Sequence, residues 1–321
     1  MSAPKAPDAA AVVPAGVATD VLTGAATEVP TVGPSPVGDP ATPTPTDVPT
    51  APPAPDAVWR VASAVAIGSD HRKAATVCQD AAVVRRMVVP GGERLVVVAC
   101  DGAGSAKHGE VGAQVVSQTA SRLLAAAGER DLADPEALAR RLLNSVRSAV
   151  ASRASAMNAL VRDLSTTMLA ALVDPTRAVF FQVGDGAMVV GRGDELSVVF
   201  WPAKGQHANE TSFVTSDDAA SRLEVMVFDD PTRSVDEVAV FTDGLERLAL
   251  DFATQTAFGA FFDPMFGAVR ELPVTRAEVN RAEATLSIEL DEFLSSARID
   301  DATGDDKTLV LATRRGRGEK T

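Results

Sequence analysis

The sequence predicts an α+β layered domain, and two observations carry that expectation: consecutive short Val-rich runs are joined by tight turns, as antiparallel strands are, and long amphipathic stretches come grouped together instead of alternating with single strands. Composition then sets the material of the core. Of 321 residues, 46% are hydrophobic but only 4% aromatic, with no tyrosine, so Val, Ala and Leu must fill it. Such small side chains suit sheets and Ala-rich helices packed at close range.

Residues 1–56 read as a disordered tail. Thirteen of the 20 prolines precede Val58, in runs such as Pro43-Thr44-Pro45-Thr46 and Ala51-Pro52-Pro53-Ala54-Pro55, and the stretch has no aromatic residue. It cannot bury enough surface to offset its ordering entropy. It would serve as a tether, or as a proline-rich docking or threonine-phosphorylation segment. The folded domain is expected over residues 57–314, with a second disordered end at 315–321.

Within the domain, strands are expected over residues 61–67, 81–89 and 95–100, the last a nearly continuous apolar run. After a turn at 101–104, residues 110–127 recur at helical spacing and close at Gly128. Asp134 as a cap, Pro135 at the first helical position and Glu136 in the first turn announce a second helix running to about residue 160. Residues 165–173, 178–183, 187–190 and 196–200 follow as consecutive strands. A polar segment, 202–223, leads to strands at 225–228 and 238–241. Helices around 244–250, 255–270 and 283–297 then precede a closing strand at 308–312.

The formal charge of −13 argues against a phosphate-backbone partner, so no nucleic acid is expected. Cys78 and Cys100 lie in apolar or mixed surroundings, which suits buried thiols in a reducing compartment better than a disulfide. No apolar run is long enough for a membrane span, and the N-terminus lacks a signal-peptide core. A cytoplasmic, soluble monomer is the expectation.

The chemistry is concentrated in four acidic motifs at the ends of apolar strands: Asp101-Gly102, Gly184-Asp185-Gly186, Asp243-Gly244 and Asp305-Asp306. Any single Asp-Gly pair is a common turn. Four at strand ends can converge on one rim, where glycine lets carbonyls and ions approach. Oxygen ligands of this kind select Mg²⁺ or Mn²⁺. Zinc is disfavoured, because His71, His108 and His207 are scattered and form no Cys/His set.

Val96 to Cys100 followed by Asp101-Gly102-Ala103-Gly104-Ser105 resembles the strand and turn that open the metal site of type 2C protein phosphatases. Other motifs come in that family's order: Ser165-Thr166-Thr167, Gln182-Val183-Gly184-Asp185, Phe241-Thr242-Asp243-Gly244-Leu245 and Asp305-Asp306-Lys307-Thr308-Leu309-Val310. A bacterial subgroup is resembled more closely still, through Gly68-Ser69-Asp70-His71, Cys78-Gln79-Asp80, Gly102-Ala103-Gly104-Ser105-Ala106-Lys107 and Ala208-Asn209-Glu210-Thr211.

The resemblance covers residues 59–312 and implies an antiparallel β-sandwich flanked by helix pairs, with a two-metal cleft at one end. It implies that Asp101, the Gly102 carbonyl, Asp243 and Asp305 hold two Mg²⁺ or Mn²⁺ ions, that Asp80 stands near the second through water, and that Asp185 could hold a third. The implied activity is hydrolysis of phosphoserine and phosphothreonine in proteins, opposing a serine/threonine kinase.

One position departs from the pattern. Where the wider family carries a phosphate-binding arginine, Ala75 stands here, so Arg72 or His71 is expected to substitute; His71 could equally act as general acid. The segment 202–223 falls where the family carries a variable flap. The missing arginine also leaves open a catalytically weak phosphoprotein-binding sensor on the same fold, and a small phosphorylated molecule remains a further substrate class.

Overall fold

A computed structural model describes residues 18–21, 58–201, 211–229 and 235–316. Along the chain run β1 (Ala18–Val21), β2 (Arg60–Ala66), α1 (Ser69–Ala74), β3 (Asp80–Val89), β4 (Gly92–Asp101), α2 (Gly109–Ala125), α3 (Glu129–Ala133), α4 (Pro135–Ala156), β5 (Met168–Val173), β6 (Arg177–Val183), β7 (Ala187–Arg192) and β8 (Glu195–Val198). Then follow α5 (Ala219–Arg222), β9 (Glu224–Asp229), β10 (Glu237–Phe241), α6 (Glu246–Ala249), the two-residue strands β11 (Leu250–Asp251) and β12 (Thr256–Ala257), α7 (Gly259–Arg270), α8 (Arg276–Leu294), α9 (Ala297–Asp300) and β13 (Lys307–Thr313).

Two sheets stack face to face, one ordered β1-β3-β4-β5-β6-β9 and the other β2-β13-β10-β7-β8. All pairings in them are antiparallel except β1 with β3. β4 explains why its sequence is apolar without alternation. Its Val96, Val98 and Cys100 pack beneath α2 and α4, while Leu95, Val97 and Ala99 face the other sheet. Both faces of the strand are therefore buried. A third apolar layer joins the second sheet to α7 and α8 through Phe241, Phe262, Phe266 and Leu294.

Small residues let α2 close on its neighbours. A Cβ at Gly112 would lie 2.2 Å from the Leu164 carbonyl oxygen, a position only glycine can fill. The next long helix begins as its sequence announced: the Asp134 side chain accepts the Ala137 N–H at 2.9 Å, with Pro135 at the first position.

Three expectations need correction. Four residues of the stretch assigned to a disordered tail form β1, with Ala18 opposite Val83 and Val21 opposite Arg86. Thr19 and Val21 are β-branched, and β3 otherwise presents an open edge; residues 1–17 and 22–57 lie outside the described residues. At the other terminus Arg315, assigned to the disordered end, is buried and pairs with Asp194 at 2.9 Å. Helix α1 was not expected, because six residues are too few to show a period. Among the described residues no helix is long and apolar enough to cross a membrane.

Candidate metal centre

Strand register brings the acidic motifs to one end of the sandwich. Asp80 opens β3, Asp101 closes β4, and the two are direct partners across that ladder. Phe241, at the end of β10, is opposite both Ala187 and Leu309. Asp243 just after β10, Asp185 just before β7 and Asp305 just before β13 must therefore emerge at the same rim. One carboxylate oxygen from each of Asp101, Asp185 and Asp243 lies within 4.8 Å of the others. Gly184 and Gly186 flank Asp185 at φ of 104° and 89°, and these left-handed turns on both sides thrust its side chain into the cluster.

Threonines hold the carboxylates in place. Asp80 Oδ2 accepts from Thr242 Oγ1 at 2.8 Å and Thr308 Oγ1 at 2.7 Å, whereas its buried Oδ1 has no hydrogen-bond partner in the protein. The Asp101 N–H donates to Thr167 Oγ1 at 2.9 Å, and its carbonyl accepts from Thr166 Oγ1 at 2.7 Å and the Thr167 N–H at 2.8 Å. Thr211 Oγ1 donates to Asp185 Oδ2 at 2.5 Å. Sequence reading gave none of these threonines a role, although each lies within a quoted motif. Asn209 and Glu210, quoted with Thr211, lie outside the described residues.

The electrostatics fit a cation site. Burial first, opposed by the threonine hydroxyls and assisted by the charge of Asp306, pushes Asp80 up to about 7. Burial, then the charges of Asp185, Asp305 and Asp80, pushes Asp243 up to about 8. Asp101 is held well above the carboxylate range by burial and by Asp80, Asp243 and Asp305. Glu246, whose Oε1 accepts the Gly186 N–H at 3.2 Å, is also raised, chiefly by burial. Carboxylates gathered this way must take up protons or cations. An all-oxygen donor set with a buried, unpartnered Oδ1 matches a hard divalent ion.

The remaining expected residues fall into different places. Asp305 is exposed and stands outside the closest three carboxylates; its Oδ1 accepts the Asp306 N–H at 2.8 Å. Gly102 is fixed through its N–H to the Gln79 carbonyl at 3.1 Å. His71 does not meet the cluster directly, for its Nδ1 bonds Asp306 Oδ2 at 2.8 Å. Asp306 also accepts the N–H groups of Gly68 at 2.7 Å and Gln79 at 2.6 Å. That anchoring role was missed. Arg72, expected to replace the phosphate-binding arginine, pairs with Asp300 and donates to the Ile67 carbonyl, so its guanidinium is committed away from the carboxylates. His108 occupies the position before α2 without a side-chain cap bond. Both cysteines are free thiols.

Comparison with known proteins places this geometry. Residues 67–294 match the family described as protein phosphatase 2C. Serine/threonine-protein phosphatase 3 of Escherichia coli (strain K12) is 34% identical over 259 residues, covering 79% of this chain and 98% of that protein. Among solved structures, the serine/threonine phosphatase Stp1 from Staphylococcus aureus aligns with a TM-score of 0.53 at 17% identity, covering 81% of this chain and 96% of that one. The catalytic domain of the serine/threonine protein phosphatase PstP in complex with two manganese ions aligns with a TM-score of 0.50 at 19% identity, covering 79% and 97%. The two structural likenesses carry the fold, and the sequence matches carry the family: this chain belongs to the protein phosphatase 2C family of metal-dependent phosphatases.

Proposed function

We propose that this chain hydrolyses phosphoserine and phosphothreonine in proteins, using two Mg²⁺ or Mn²⁺ ions held by Asp101, Asp243, Asp305 and the Gly102 carbonyl, with Asp80 acting through water and a third, weaker ion at Asp185. The observation that carries the reading is the meeting of Asp101, Asp185 and Asp243 within 4.8 Å at a rim where burial and mutual charge raise the carboxylates. When bound, such ions supply Lewis acidity toward phosphoryl oxygens and acidify water.

The chain's own residues do the rest. Thr166 and Thr167 fix the Asp101 backbone, and Thr242 and Thr308 hold Asp80 through Oδ2, leaving its buried Oδ1 without a protein partner. Asp306 grips His71 through Nδ1, leaving Nε2 to give a proton to the departing serine or threonine alkoxide as the P–O bond breaks. A cysteine nucleophile is disfavoured on physical grounds. Burial and the charge of Asp80 push both Cys78 and Cys100 up, so neither carries thiolate.

The test is phosphate release from a phosphothreonine peptide with Mn²⁺ or Mg²⁺ titrated against a chelator. Metal-dependent release is expected; a folded, metal-binding protein that releases none would overturn the reading. The sensor alternative has one observation in its favour, the commitment of Arg72 to Asp300 with Ala75 at the family's arginine position; binding of the phosphopeptide without turnover is its signature. We further infer a monomer in a reducing, cytoplasmic setting that opposes a serine/threonine kinase. Light scattering and cell fractionation check the first two, and a rise in phosphothreonine on deletion checks the third.

A further inference from the structure

Half of the chain's 12 phenylalanines lie in the apolar layer between the second sheet and the helices α7 and α8, in a protein otherwise packed with Val, Ala and Leu. That layer is not closed. A cavity of about 420 Å³ opens into it, within the range of roughly 300–1,000 Å³ in which proteins hold small organic ligands. Phe258, Phe261, Phe293 and Met265 line it, with Ala62 of β2 and Leu311 of β13 as its floor. The Phe258 ring, although apolar, is 46% exposed. Of the lining residues only Arg298 and Glu289 are charged, and neither forms an ion pair among the described residues. Glu289 stands where the cavity meets a second groove along α8, which Arg298 does not line.

The walls of this cavity are continuous with the segments that carry the metal-centre acids. α6 follows directly on the turn of Asp243; it presents Leu248 to the cavity, while its Glu246 accepts the Gly186 N–H beside Asp185 at 3.2 Å. From the other side α9 presents Arg298 and Ile299. The Ile299 carbonyl accepts the N–H groups of Ala302 and Thr303, each at 3.0 Å, and Thr303 Oγ1 accepts the Asp305 N–H at 3.3 Å. A body wedged between Leu248 and Ile299 therefore bears on the supports of Asp185 and Asp305 through short runs of hydrogen bonds.

We propose that this cavity is an effector site for a small aromatic monoanion, with its rings among Phe258, Phe261 and Phe293 and its carboxylate or sulfonate on Arg298. Aromatic rings pack edge to face against phenylalanines and favourably against a methionine sulfur. A guanidinium takes a carboxylate through two parallel hydrogen bonds. Glu289 opposes a second negative group, which selects one charge over two. The site itself stands apart from the phosphatase reading above; its effector role rests on the metal centre of that reading.

The experiment titrates anilinonaphthalene sulfonate into the Mn²⁺-loaded full chain by calorimetry. One site per chain is expected. Naphthoate should displace the probe about threefold to fivefold better than neutral naphthamide, the increment of one exposed ion pair. Arg298→Gln changes an exposed side chain and should erase that preference, whereas Glu289→Gln should keep it. Ala268→Phe, which adds a ring to the cavity wall, should abolish binding; Ala151→Phe, the same change at an exposed position of α4, should not. Saturating the site should shift the Mn²⁺ dissociation constant by about fivefold or more. No site, several equivalent sites, equal displacement by naphthoate and naphthamide, or binding that survives Ala268→Phe overturns the proposal. Unchanged Mn²⁺ affinity at saturation overturns the effector role. A chain that binds no Mn²⁺ removes the metal-centre reading together with that role, while the displacement results still decide the site.

Discussion

Asp80 and Asp101 stand opposite each other across the β3–β4 ladder, a buried and a half-buried carboxylate in direct register, with Asp80 gripped from behind by Thr242 and Thr308. Without a cation this arrangement opposes folding. The folded-state values of Asp80 and Asp243, about 7 and about 8, exceed the unfolded carboxylate value of about 3.9. Their contribution to the stability of the metal-free protein is therefore fully present below about pH 4 and is lost as pH rises toward about 8, by a few kcal/mol. Thermal melts of chelator-treated protein should show Tm falling between about pH 5 and about pH 8, with Mn²⁺ restoring it at the upper end. A Tm that rises across that window contradicts the account.

Stripping the hydroxyl donors from Asp80 tests the threonine grip. Thr242→Val with Thr308→Val removes two bonds to a charged oxygen, each worth about 1.5–3 kcal/mol. Asp80 should then titrate still higher, and Mn²⁺ affinity should fall on the order of tenfold, most steeply at the acid end. Unchanged affinity in calorimetric titrations would mean that Asp80 takes no part in holding the ion.

The pairing of His71 with Asp306 separates structural from chemical roles. Asp306→Ala leaves the Gly68 and Gln79 N–H groups without their acceptor and should cost about 2–4 kcal/mol in denaturant unfolding. His71→Ala should cost far less stability but slow a phosphothreonine peptide more than p-nitrophenyl phosphate, whose leaving group needs no proton. Equal slowing of both substrates would remove His71 from proton transfer.

Gly244 marks where the two ligand-bearing segments touch. A Cβ there would lie 2.1 Å from the Asp306 carbonyl oxygen, so Gly244→Ala must push apart the turns carrying Asp243 and Asp305. A loss of about 1–3 kcal/mol of stability and a larger proportional loss of metal affinity are expected, read from melts and Mn²⁺ titration. Wild-type affinity in the variant would show that the spacing of those turns is not critical.

Much of the fold is written in local pattern. The double-sided apolar run of β4 and the Asp134-Pro135 start of α4 are signals between near neighbours, and both produced the expected elements. Asp101, Asp185 and Asp243 were legible as acids at strand ends, and register carries them to one rim once the strands pair; Asp80, their neighbour across the β3–β4 ladder, was named only through the family resemblance. What could not be read depends on distant partners. Asp305 and Asp306 are adjacent and chemically identical, yet one is exposed while the other is buried beneath Gly68 and His71. Arg72 is drawn to Asp300, 228 residues away, and β1 adds to an edge that no local pattern announces.

The most direct measurement of the central claim is Mn²⁺ binding and phosphothreonine-peptide turnover followed together in the native chain and in Asp101→Asn. The account predicts that the substitution weakens Mn²⁺ binding, reduces turnover by at least about a hundredfold and raises the Tm of the metal-free protein at pH 8 by relieving repulsion. An Asp101→Asn protein that binds Mn²⁺ and turns over substrate as the native chain does would contradict it.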